Sequence, residues 1–114
     1  MRGKKRTKRE RQRKEVPECC DMRGMLSFQI LWILSKGSMY GQEIANEIAI
    51  RRGSKPAPGT IYPALKELRE KKLIEGHRQG RKIVYSLTKG TKQKVEKACR
   101  YFCNAFFDIF KEYG

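Results

Sequence analysis

Four cysteines, one histidine and a dense set of lysines and arginines are the residues of this chain with chemistry to offer. Cys19 and Cys20 are adjacent, and Cys99 and Cys103 are four apart. On a helix that second spacing puts both thiols on one face, about 5–6 Å apart, so that both can ligate one metal. Four thiolates brought together could hold zinc or an iron–sulfur cluster, or two could pair as a redox disulfide. The spacing matches no zinc-finger signature, however. The plainer reading makes Cys99 and Cys103 small apolar residues in a helix seam and Cys19-Cys20 an incidental pair. His77 stands apart from any nucleophile, phosphate-binding loop or paired carboxylates, so an enzyme is not expected and His77 reads as a strand residue.

The cations say more. The chain carries 27 Lys and Arg against 12 Asp and Glu, a net charge of +15, which points to a polyanionic partner: nucleic acid, or less often an acidic membrane surface. Residues 1–16 hold nine Lys or Arg and two Glu with almost nothing apolar, so this stretch cannot bury a face. It reads as a DNA-binding arm or as a solubilising extension. The rest of the chain is basic in its own right. The longest apolar run, Ile30 to Leu34, is far shorter than the ~20 residues that cross a bilayer. The basic start is followed by Glu10, Glu15 and Glu18 rather than by an apolar signal region. A cytoplasmic protein with reduced thiols and no membrane partner is the expectation.

The elements that would position these groups follow from periodicity. At 114 residues there is room for one compact domain with its tails. Met25 to Leu34 is an almost wholly apolar helix stopped by Lys36-Gly37. Ser38 is a candidate cap for a second helix with Ile44, Ala45, Ile48 and Ala49 inward, ending at Arg51-Arg52-Gly53. After the loop Ser54 to Gly59, a third helix is expected over Thr60 to Lys72, with Ile61, Ala64, Leu65 and Leu68 inward and Pro63 tolerated in its first turn. Leu73 to Arg78 and Arg81 to Leu87 read as a β-hairpin about Gln79-Gly80, its tip basic at Arg78, Arg81 and Lys82. A long helix then runs to Tyr113, with Val95, Cys99, Phe102, Phe106, Ile109 and Tyr113 at alternating steps of four and three and Phe110 widening the stripe.

Three helices and a hairpin, with a basic third helix, is the layout of a winged helix-turn-helix, in which the third helix enters the major groove and the hairpin is the wing. The fold class is therefore mainly α with a small β-hairpin. The organisation is a basic arm at 1–16, the winged domain at 17–89 and a C-terminal helix at 90–114. Thr60, Tyr62 and Lys66 would offer donors to phosphates and base edges, and Arg69, one turn further on, would meet backbone. Arg78, Arg81 and Lys82 could lie along a phosphate ridge or reach into the minor groove. The plain alternative for each is a solvated face and an ordinary turn.

The blocks Leu26-Ser27-Phe28-Gln29-Ile30-Leu31, Tyr40-Gly41-Gln42-Glu43-Ile44, Pro58-Gly59-Thr60-Ile61-Tyr62-Pro63-Ala64-Leu65 and Tyr85-Ser86-Leu87-Thr88-Lys89-Gly90 closely resemble, in that order, the PadR family of winged-helix transcriptional regulators. The resemblance spans Leu26 to Gly90. It implies a recognition helix at Thr60 to Lys72, with Tyr40, Thr60, Tyr62 and Lys66 as DNA contacts. It also implies a homodimer built by the C-terminal helical region, here a single helix as in the short forms. The stripe Val95, Cys99, Phe102, Phe106, Ile109, Phe110 and Tyr113 would then be the dimer interface; its other reading is packing on its own domain. The long basic arm and the cysteines depart from the common family pattern.

These lines converge on a double-stranded DNA-binding regulator, most often a repressor, acting as a homodimer on a pseudo-palindrome. No cofactor is required for DNA binding. Zinc, an iron–sulfur cluster or oxidation at Cys19, Cys20, Cys99 and Cys103 would switch it by shifting the dimer helices. The alternative is a basic protein that binds nucleic acid without sequence preference, as an architectural or RNA-binding factor.

Overall fold

A computed structural model of the chain describes residues 23–114. The basic segment 1–16, Cys19 and Cys20 lie outside the described residues. A short 3-10 turn, Arg23–Met25, leads into α1 (Leu26–Leu34). Its buried residues Leu26, Ile30, Ile33 and Leu34 fall at the one-turn and two-turn spacings of a helix face, so the apolar run becomes the central strut of the core. The chain then turns through Ser35 and Lys36, whose amides bond to the last carbonyls of α1.

Ser38 does not cap the next helix. Met39–Tyr40 instead forms a two-residue strand, β1, and α2 (Gly41–Arg52) starts directly after it. The cap is supplied from inside the helix: the Glu43 carboxylate accepts the Tyr40 amide N–H at 2.8 Å, the backward-reaching half of a capping box. Ile44, Ala45 and Ile48 are buried, and the Gly53 amide closes the end on Ala49 O at 2.8 Å.

The third helix, α3 (Pro58–Glu70), starts two residues before Thr60 and stops two before Lys72. Pro58 sits at its first position, where a missing N–H costs nothing. Pro63 consequently lies inside the helix rather than in the expected first turn, and the Gly59 carbonyl is left without its usual helical donor. The end is a Schellman closure: Lys72 N–H bonds to Arg69 O at 2.9 Å and Leu73 N–H to Leu68 O at 3.0 Å, with Lys72 in the left-handed region at φ 62°.

The hairpin is as expected in kind, with β2 at Ile74–Gln79 and β3 at Lys82–Leu87. Gln79 pairs with Lys82, which leaves Gly80-Arg81 as a two-residue turn. Gly80 has φ 65°, the conformation this turn demands at its first position and one that a side chain disfavours. β1 adds to the other edge of β3, with Tyr40 opposite Val84, and the sheet order is β1-β3-β2, all antiparallel.

Ile30, Ile33, Ile44, Ile48, Ile61, Leu65 and Ile74 are the largest fully buried side chains, so α1, α2, α3 and the first residue of β2 share one core. Thr88 ties the hairpin's exit to α3: its hydroxyl bonds to Lys72 O at 2.8 Å and meets Thr91 Oγ1 at 2.6 Å, which leaves the buried Thr91 satisfied.

The C-terminal region is two helices, not one: α4 (Thr91–Ala105) and α5 (Phe107–Tyr113). Phe106 interrupts them with φ −113° and ψ 19°. Neither proline nor glycine stands at the break; aromatic packing accompanies it. The Phe102 ring lies 5.3 Å from Phe28, 4.9 Å from Phe106 and 5.8 Å from Phe110 between centroids. In an unbroken helix residues eight apart rise about 12 Å along the axis, so the break is what lets Phe110 close on Phe102.

Candidate nucleic-acid interface

The residues expected to meet DNA fall on two neighbouring elements, the exposed side of α3 and the hairpin, with Tyr40 beside them on β1. On α3, Thr60, Tyr62, Lys66 and Arg69 are all exposed. Tyr62, Lys66 and Arg69 recur at steps of four and three and so form one stripe. Each end of the stripe is seated against the body. A β-carbon built on Gly41 would lie 2.8 Å from the Tyr62 hydroxyl and 2.9 Å from Tyr62 Cε1, so the ring lies directly over the backbone at the start of α2, and only glycine leaves it room. At the other end the Arg69 guanidinium lies over Gly76 of β2, 3.5 Å from where a β-carbon would stand. Arg69 therefore lies on the sheet side of the stripe while staying exposed.

Tyr85, opposite Gly76 in the ladder, feels both ends of this stripe. Burial pushes its hydroxyl above the usual tyrosine range, the Arg69 charge opposes this, and the Tyr62 hydroxyl adds to it. Thr60 sits in the first turn of α3 with its amide on Ala57 O at 2.8 Å, which leaves its exposed hydroxyl available. Beside it, Lys55 and Pro56 line a groove of about 320 Å³ between the starts of α2 and α3, together with Gly41, Gln42 and Tyr62. Lys55 and Gln42 were not singled out from the sequence; only the packing of two helix starts side by side brings them to one groove.

Arg78, Arg81 and Lys82 are exposed at the wing. Arg78 folds over the turn, its Nη1 3.5 Å from Gly80 O. Lys82 reaches back to the body instead, with Nζ 4.9 Å from the centre of the Tyr40 ring, a cation–π distance. The Tyr40 hydroxyl donates to Gln79 Oε1 at 3.4 Å. His77 is an exposed β2 residue, with Nε2 3.7 Å from Glu75.

The model of the transcriptional regulator PadR-like family matches residues 30–97, which takes in the second half of α1, all of α2, α3 and the wing, and the first turns of α4. The chain belongs to this PadR-like family. Solved structures agree with it. A PadR-like transcriptional regulator from Bacillus cereus is 25% identical, with a TM-score of 0.70 over 82% of this chain and 96% of that one. RosR from H. salinarum is 27% identical, with a TM-score of 0.65 over 71% and 74% of the two chains. A PadR family transcription regulator from Clostridium difficile R20291 is 27% identical, with a TM-score of 0.61 over 76% and 99%. No curated protein matches the chain in sequence.

As a PadR-like regulator the chain is a transcription factor with a winged-helix DNA-binding fold, not an enzyme. Among the described residues no helix is long and apolar enough to cross a membrane.

The stripe expected to form the dimer interface divides. Val95 is buried within its own domain at 3% exposure, which corrects its assignment to the seam, because α4 must anchor on α1 before it can present anything outward. Cys99 and Phe102 are half-buried. Phe106, Ile109, Phe110 and Tyr113 are exposed, and so are Tyr101 and Phe107, which a single-helix stripe had left out.

Cys99 and Cys103 are both free thiols. Burial, and next the neighbouring Cys103, push the Cys99 thiol above the usual range. Among the described residues no three metal-ligating side chains come together; Cys19 and Cys20 lie outside them.

Proposed function

We propose that this PadR-like regulator binds double-stranded DNA sequence-specifically as a homodimer on a pseudo-palindromic operator, represses by occluding a promoter, and works in the cytoplasm. The observation that carries this reading is the pairing of two exposed surfaces on one small fold. One is the start of α3 beside a basic wing. The other is a C-terminal segment on which the rings of Tyr101, Phe106, Phe107, Phe110 and Tyr113 stand 41–76% exposed. A monomer rarely leaves so contiguous an apolar face to water, and a single winged helix reads only a few base pairs, so covering that face with a second copy completes the reader as well.

Thr60, Tyr62 and Lys66 enter or line the major groove in this reading, and Arg78 and Arg81 hold flanking phosphates. Binding to the DNA upstream of the chain's own gene, titrated against random-sequence competitor, is the direct test. Operator preference of about a thousandfold or more supports it, and equal affinity for both duplexes favours the non-specific alternative. Sedimentation of the full chain beside an Ile109→Asp, Phe110→Asp double variant tests the dimer: a dimeric wild type and a monomeric variant are expected.

Zinc, an iron–sulfur cluster or a disulfide involving Cys19, Cys20, Cys99 and Cys103 would act on that same C-terminal face. Metal content of the purified wild type beside Cys99→Ser decides it; metal-free protein with DNA binding unchanged by the substitution ends the idea.

A further inference from the structure

Tyr40 has four separate attachments, and none of them points away from the protein. Its amide is held by Glu43 at 2.8 Å, and its backbone pairs with Val84 on β3. Its hydroxyl reaches Gln79 at 3.4 Å, and its ring face carries the Lys82 ammonium at 4.9 Å. Gln79 and Lys82 are the last and first strand residues either side of the wing turn. The residue after Tyr40 is Gly41, on which the Tyr62 ring of α3 rests.

We infer that Tyr40 is a positioning residue, the joint that fixes the angle between wing and recognition helix, rather than the direct DNA contact that the family resemblance implied. Beyond Val84, where the pairing with β1 ends, the wing is two-stranded with its tip in solvent and has little of its own to hold its direction. A cation over an aromatic face and a bond to the opposite strand brace both strands at the tip to one ring. That ring continues through Gly41 and Tyr62 into the helix that enters the groove. Arg78 and Arg81 then meet phosphates at a set distance from Thr60 and Lys66, and the ordering of the wing is complete before DNA arrives.

The inference rests on the DNA-binding reading but can fail separately from it. The probe is a duplex recovered by the full wild-type chain from a random-sequence pool, beside an unselected duplex of equal length. Tyr40→Phe keeps the ring under Lys82 and removes the hydroxyl; Tyr40→Leu removes the ring.

Tyr40→Phe is expected to bind within about twofold of wild type. Tyr40→Leu is expected to bind about fivefold more weakly, with a salt dependence shallower by about 0.9 for each phosphate that the wing ceases to neutralise. Hydroxyl-radical footprints should lose the wing protections and keep those of α3, and the preference for the selected duplex should be unchanged. Tyr40→Phe reproducing the full loss while Lys82 stays over the ring and Gln79→Ala binds as wild type would make the hydroxyl a DNA contact and overturn the proposal, as would a wing footprint that survives Tyr40→Leu.

A measurement on the free protein covers the case in which Tyr40→Leu does not fold. The Lys82 ε-methylene protons should show an upfield ring-current shift in wild type and in Tyr40→Phe; their absence from the ring's shielding cone refutes the joint. A wild type that selects no duplex overturns the DNA-binding reading and the joint's role with it.

Discussion

Gly41 and the C-terminal thiols show how much single atoms decide in this protein. A methyl group on Gly41 would meet the Tyr62 hydroxyl at 2.8 Å, inside any real contact distance, so Gly41→Ala must swing the tyrosine outward. Because that ring is part-exposed, the expected stability loss is modest, about 1 kcal/mol by urea denaturation. Affinity for the selected duplex should fall more steeply than stability does. Cys99 and Cys103 differ through burial. With its thiol pushed up by its surroundings, Cys99 should alkylate after Cys103 at neutral pH, which peptide mapping after a short maleimide pulse would show. The sign for stability follows: Cys99 ionises later in the folded chain than in the unfolded one, so its contribution is intact below the ordinary thiol range and is lost as pH rises through the folded value. Cys99→Ser should flatten that alkaline decline. The sequence showed that these two thiols share a helix face; which of them is shielded depends on where α1 lies.

Among the elements, the C-terminal pair diverges furthest from its own periodicity. The steps of four and three from Val95 to Tyr113 describe a single amphipathic helix, and nothing in residue type breaks it. The break at Phe106 goes with a contact from outside the segment, Phe28 of α1 against Phe102, around which Phe106 and Phe110 gather. Phe102→Ala removes the hub of three ring contacts, each worth about 0.5–1.5 kcal/mol beyond the area it buries. It is expected to destabilise the chain by about 2 kcal/mol in thermal denaturation and to leave α5 amides unprotected in hydrogen exchange. The same kind of distant influence explains α2. Ser38 carries a good cap side chain, but pairing of Met39 and Tyr40 with β3 keeps the backbone extended past it, and Glu43 then caps from within. The type of the longer elements was readable because it is set by local periodicity; the two-residue β1 and the element ends were not, because partners remote in sequence compete for the same backbone groups.

For the whole molecule the net charge of +15 makes long-range attraction to DNA a property of the entire surface. Binding should weaken steeply with salt, by about 0.9 in log–log slope per phosphate neutralised. Deleting residues 1–15, with their excess of cations, should reduce that slope in anisotropy titrations while leaving operator preference unchanged; an unchanged slope would make the segment a solubilising extension. The sequence by itself determined the winged-helix class, the order of its elements, the basic wing and the apolar character of the C-terminal segment. These follow from hydrophobic period, turn residues and charge, all local and additive along the chain. Only the tertiary structure decided that Val95 belongs to the protomer's own core and that Arg69 lies over the sheet. It likewise seated Tyr62 on Gly41 and placed Lys82 on Tyr40. Those outcomes depend on which faces meet across long stretches of chain, and steric contact between residues far apart in the chain leaves no trace in a one-dimensional pattern.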